Sequence, residues 1–158
     1  MKTKLFYLML TAFLGLSFAS CKKSENNPEL VLDHNLLKSA SKYSTLADER
    51  KGGPGEFTIE HLARNGNVLT ISVKGGCKEE DFQIVWDGVI MFSSPGQVNL
   101  LLYNKSEQDC GTDNLFDIKV NLESIVGNQD AKSFIYNVAN GSKRQDFSLN
   151  INGTVSAK

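Results

Sequence analysis

Six carboxylates crowd two of the three cysteines in this chain: Glu79, Glu80 and Asp81 follow Cys77, and Glu107, Asp109 and Asp113 surround Cys110. If the two segments meet, their oxygens are the kind of donor that a hard cation such as calcium takes. Such a site needs six or more converging oxygens, and the spacing here matches no EF-hand loop. Charged loops are ordinarily just solvated, so the six residues stand only as weak calcium candidates, and no cofactor is expected. A two-thiolate metal site lacks CxxC spacing and a neighbouring His-x-His, and a redox pair lacks CxxC as well. The histidines are His34 and His61, and no GxSxG, HExxH or phosphate-cradling glycine loop accompanies them. His61 reads as an exposed residue near a strand end rather than a general base. A non-enzymatic protein is therefore expected.

The third cysteine, Cys21, has a different setting. Met1-Lys2-Thr3-Lys4 is a positive start, Leu5 to Leu16 an apolar middle, and Phe18-Ala19-Ser20 a small-residue approach to the cysteine. The apolar run is too short and too abruptly ended for a permanent membrane-spanning helix. The pattern resembles the signal of bacterial lipoproteins, in which the cysteine is acylated and becomes the first residue of the mature protein. Phe18 departs from the leucine usual three places before the cysteine. Lipoproteins of the Bacteroidota type relax that position, and Lys22-Lys23-Ser24-Glu25-Asn26-Asn27 resembles their tether. The resemblance implies a signal peptide over 1–20, a lipid anchor at Cys21 and a cell-envelope location. Lys22 in place of an inner-membrane retention aspartate points to the outer membrane; the periplasmic and surface faces both stay open.

With Cys21 assigned to lipid, Cys77 and Cys110 remain as an even pair in an oxidising compartment, and a disulfide between them is expected. Residues 1–20 carry Lys2 and Lys4 and no acid, so 15 of the 17 basic residues face all 18 acidic ones in the mature chain. That balance argues against nucleic acid as a partner, which requires a basic surplus on one face. The mature length suits one domain with a real core.

Behind Cys21, residues 21–54 read as lipidated cysteine, flexible tether and lead-in: Lys22 to Pro28 is polar throughout, and Leu30-Val31-Leu32 suits a short edge strand. Leu36 to Leu46 carries mixed signals and is left unassigned. Lys51-Gly52-Gly53-Pro54-Gly55 is a strong breaker, and the main domain is placed at 55–158. From there the apolar period is two. Phe57/Ile59, Leu69/Ile71/Val73, Phe82/Ile84/Trp86, Val98/Leu100/Leu102, Phe116/Ile118/Val120/Leu122, Phe134/Tyr136/Val138 and Phe147/Leu149/Ile151 each line one face. Asn65-Gly66, Asp87-Gly88 and Asn140-Gly141 read as tight turns, and Ser94-Pro95-Gly96 as a break. About seven short strands with turn chemistry between them predict an all-β antiparallel sandwich, immunoglobulin-like or a partly open barrel, with one disulfide. The immunoglobulin motif itself fails, because Gln108 stands where the tyrosine before the second cysteine belongs. Trp86, sharing a face with Phe82 and Ile84, reads as core.

Val73 to Trp86 (VKGGCKEEDFQIVW) and the later QDCGTD look like a pattern of small Bacteroidota lipoproteins, which supports the envelope address and implies no reaction. The expected function is a lipid-anchored binding or structural accessory domain whose partner is an envelope protein or a glycan. Tyr43, Tyr103 and Tyr136 are the aromatic candidates for sugar stacking, with Tyr136 more at home in the core. The alternative is an inhibitor of a secreted lysozyme or protease that presents the Cys110 loop. An envelope enzyme comes third.

Overall fold

The computed structural model describes residues 29–50, 56–108, 110–143 and 145–158. The signal, Cys21, the tether, the Lys51–Gly55 breaker and Asp109 lie outside them. Ten strands form two open sheets, not closed into a barrel. The large sheet is ordered β1 (Leu30–Asp33), β2 (Leu36–Lys38), β5 (Phe82–Met91), β6 (Gly96–Asn104), β8 (Phe134–Asn140), β9 (Phe147–Leu149) and β10 (Val155–Ala157); the small one is β3 (Phe57–Asn65), β4 (Val68–Gly75) and β7 (Leu115–Asn121). Helix α1 spans Ala40–Asp48, and a single turn, α2, spans Glu123–Val126.

Most pairings are antiparallel, but β2 runs parallel to β5 and β6 parallel to β8. A parallel neighbour needs a crossover. Here the opposite sheet supplies it: the β3–β4 hairpin lies between β2 and β5 in sequence, and β7 between β6 and β8. The chain therefore stitches the two layers together as it builds them. Between the layers lies one core, with Phe57, Ile71, Val73 and Ile118 from the small sheet against Phe82, Leu100, Tyr136 and Val138 from the large one. The expected apolar faces all contribute to it, except that Ile151 is exposed in the turn after β9. In β3 a bulge between Ile59 and His61 resets the alternation, so His61 faces solvent and Leu62 turns inward.

Three turn expectations need correction. Asp87-Gly88 is a bulge inside one continuous strand, β5, with Gly88 at φ +85°. The β3–β4 turn is centred one residue later than expected, on Gly66-Asn67, with positive φ at the glycine alone, as a type II′ turn requires. Asn140-Gly141 is no two-residue hairpin. Asn140 is buried and uses its side chain as a hub: Oδ1 accepts from the Ser142 and Lys143 amides at 2.9 and 3.2 Å, while Nδ2 donates to the Phe57 carbonyl of the other sheet at 3.1 Å. Gly141 is required by proximity, since a Cβ there would stand 2.7 Å from the Leu102 carbonyl oxygen.

The lead-in also belongs to the fold. Leu36 and Leu37 are buried, and the large sheet starts at Leu30 rather than after Gly55. Leu37, Val85, Leu101 and Ala139 stand in register across four strands on the outer face. All four are buried, and α1 packs on β5 and β6 there. Each such side chain contributes about 1.5–3 kcal/mol when fully buried. Ser39 starts the helix by accepting from the Lys42 amide through its hydroxyl, and Arg50 Nη1 closes the far end on Asp146 Oδ1 at 2.5 Å.

Asn140→Ala leaves the Ser142 and Lys143 amides without their acceptor and takes one of two donors from the Phe57 carbonyl, which keeps Ser142 Oγ at 3.0 Å, and is expected to lower stability by about 2–4 kcal/mol in urea unfolding.

A candidate binding cleft at the disulfide-stapled end

Cys77 and Cys110 form the expected disulfide, with Cα atoms 5.1 Å apart. It joins the end of β4 to the long loop after β6. Around it the backbone is pinned at three further points: the Lys105 amide donates to the Asp81 carbonyl at 2.7 Å, the Gly75 amide to the Asn114 carbonyl at 2.8 Å, and Asn114 Nδ2 to the Gly76 carbonyl at 2.8 Å. Gly76 has φ +86°, and a Cβ on it would meet the Phe82 ring at 2.9 Å. Only glycine fits both the conformation and the contact.

This end carries a cleft of about 480 Å³, lined by His34 and Asn35 from the β1–β2 turn, Glu79 and Glu80 from a 3-10 turn, Phe82 from β5, and Lys105. Parallel pairing of β2 with β5 brings the β1–β2 turn here. The Ile84 amide donates to the Asn35 carbonyl at 2.7 Å, and Asn35 Nδ2 reaches across to the Lys119 carbonyl of the small sheet at 2.9 Å. Asn35 is only 8 % exposed, and its Oδ1 has no hydrogen-bond partner. A buried acceptor without a donor costs about 1–3 kcal/mol, and native proteins keep few of them. Beside it, Asp33 Oδ1 accepts from the His34 amide at 2.7 Å and lies 3.1 Å from His34 Nδ1. Those hydrogen bonds hold the Asp33 carboxyl below its ordinary value. The lining thus offers two carboxylates as acceptors, with one ammonium and one imidazole as donors, and Asn35 holds its unpartnered oxygen buried at the same site.

Of the six acids singled out from the sequence, Asp109 lies outside the described residues and the other five form no single cluster. Glu79 and Glu80 line the cleft, Asp81 gives its carbonyl to Lys105, Glu107 is exposed, and the Asp113 carboxylate lies 3.3 Å from Lys74 Nζ. Among the described residues no three His, Cys, Asp or Glu side chains converge as metal ligands. The tyrosines offer no open stacking platform either. Tyr136 is fully buried and donates to the Ala131 carbonyl at 3.0 Å, and burial pushes its hydroxyl pKa up. Tyr103 is half-buried, donates to Gln83 and lies under Lys42, whose Nζ is 5.2 Å from the ring. Tyr43 is half-buried on α1. A smaller cleft of about 300 Å³ lies beside Glu56 and Lys143, but those two charges already pair with each other.

Sequence reasoning found the stapled loops and missed Asn35, which stands in the lead-in between the expected edge strand and the unassigned Leu36 to Leu46 stretch and acquires its role only through the parallel pairing. Comparison with protein families, with curated proteins and with solved structures gives no match. The site is therefore read from its own residues.

Replacing both Cys77 and Cys110 by serine is expected to lower stability by about 4 kcal/mol in the chain-entropy account. Urea titrations of the variant and the parent, with and without reductant, measure it; equal midpoints would contradict it.

Proposed function

We propose that this chain is a lipid-anchored, non-enzymatic binding domain of the bacterial cell envelope, held at the outer membrane through Cys21, and that the cleft at its stapled end takes the partner. The observation that carries the reading is a cleft walled by the exposed Glu79 and Glu80 and lined also by Asn35, whose buried Oδ1 has no partner. Two adjacent carboxylates in one recess favour a partner rich in donors, with hydroxyl or ammonium groups. The volume lies within the range of small-ligand sites and suits one or two sugar units or a short amine-bearing peptide. Lys105 and His34 at the rim supply donors for a carbonyl or carboxylate of the same ligand. Envelope glycan with its attached peptides has this chemistry, and it lies within reach of a membrane-tethered domain. The signal-like first twenty residues and the polar run after Cys21 support the location.

Glu79 and Glu80 are exposed, so glutamine at both leaves the fold intact and removes two negative charges from the cleft. Calorimetry with soluble peptidoglycan fragments is expected to show binding by the parent protein that weakens about tenfold, or about 1.4 kcal/mol, in the Glu79→Gln, Glu80→Gln variant. Equal affinity of the two proteins, or no binding by the parent, would sink the reading.

A further inference from the structure

Exposed apolar side chains are not scattered over this domain. Eight large ones stand open among the described residues, and the most exposed is Phe92 at 83 %. Strand register places them. Leu30 lies level with Lys38, Trp86 and Leu100. Beyond that row β5 runs on through Val89 and Met91 to Phe92 at the tip of the β5–β6 hairpin. Ile151 follows Leu149, which pairs with Tyr136, in the direction of Phe134 and Gly96 at the same end. Arg64 donates to the carbonyls of Ala131, Phe134 and Ile151, which draws the β3–β4 turn and Val68 to that end as well. Val31 lies one residue inward of Leu30. Only Leu115, opposite Lys74, lies at the cleft end.

β1 runs from Leu30, level with the middle of β6, towards the cleft, so the chain approaches the sheet from the side of the apolar end. Seven residues separate Cys21 from Glu29, a reach of at most roughly 28 Å when fully extended. So short a tether, approaching from that side, keeps the end that bears Phe92 at high effective concentration against whatever surface holds Cys21. Exposed apolar clusters of this kind mark protein or membrane contacts.

We propose that the apolar end rests on the lipid surface, with Phe92 and Met91 entering the boundary between headgroups and acyl chains and the Asn35 cleft facing away from the membrane. The proposal builds on the lipid-anchored reading above. It makes the hairpin tip the second attachment and gives the domain a fixed orientation, open end outward.

The test places a tryptophan at either end, Phe92→Trp or Leu115→Trp, in the full chain as cells process it, reconstituted in vesicles whose lipids are brominated along the acyl chains. The unsubstituted chain supplies the Trp86 background. An indole about 5–10 Å into the interface is expected to lose at least about half its emission at position 92, while position 115 stays within about a tenth of its value in unbrominated vesicles. Quenching that is equal at the two positions, stronger at 115, or absent at 92 overturns the orientation; absence at 92 is also the outcome if a second copy or another protein covers this end. Mass spectrometry of the amino-terminal peptide reports the anchor separately. Cys21 without acyl mass overturns the anchored reading, whereas quenching at 92 in that same sample leaves the lipid-facing end standing.

Discussion

The structure depends on burying the central strands of the large sheet on both faces. Ile84, Val85 and Trp86 in β5, and Leu100, Leu101 and Leu102 in β6, are consecutive and all buried. A strand in a two-layer sandwich needs only every second side chain covered. The extra face, carried by Leu37, Val85, Leu101 and Ala139, must be covered from outside, and α1 does this. Arg50 then fixes the helix end to Asp146, whose Oδ1 also accepts from the Asn140 amide at 3.0 Å. One acid thus links the outer layer to the residue that bridges the two sheets.

The same constraint sets the functional end. For α1 to lie over β5 and β6, the strand before it must join the large sheet beside β5, and β2 does so in parallel. That pairing delivers the β1–β2 turn to the disulfide end, where Asn35 is clamped through its own carbonyl and through Lys119, leaving Oδ1 without a donor. The disulfide and the Lys105–Asp81 contact hold the opposite wall. At the other end there is no such staple. There the β5–β6 hairpin projects and apolar side chains remain open. The domain has two chemically different ends, one polar and recessed, the other apolar.

Much of this was legible from alternation alone. Leu69/Ile71/Val73, Val98/Leu100/Leu102 and Phe134/Tyr136/Val138 keep period two because each faces the core, and the sandwich class followed from reading them, while the disulfide followed from the even pair Cys77 and Cys110. What was not legible depends on distant partners. Leu36-Leu37-Lys38 is too short to show a period, and α1, with Ser41, Ser44 and Thr45 on it, has a weak apolar stripe that draws its place from the sheet beneath. Asp87-Gly88 and Asn140-Gly141 have the composition of tight turns, yet Gly88 serves a bulge and Gly141 a close approach to β6. Local chemistry permits either use, and only the neighbouring strand decides. Among the five described acids near the two cysteines, proximity to the disulfide does not aim the oxygens at a common point.

Everything at the cleft requires that the segment before α1 be an integral part of the large sheet rather than a detachable lead-in. Native-state amide exchange on the full chain measures this at two hydrogen bonds, Ile84 to the Asn35 carbonyl and Ser39 to the Trp86 carbonyl. If β2 is integral, both amides exchange only through global unfolding, with protection equal to that of Leu101 and Val138 in the sheet centre. Exchange of Ile84 and Ser39 at rates close to those of an unprotected chain, while Leu101 stays protected, would contradict the account.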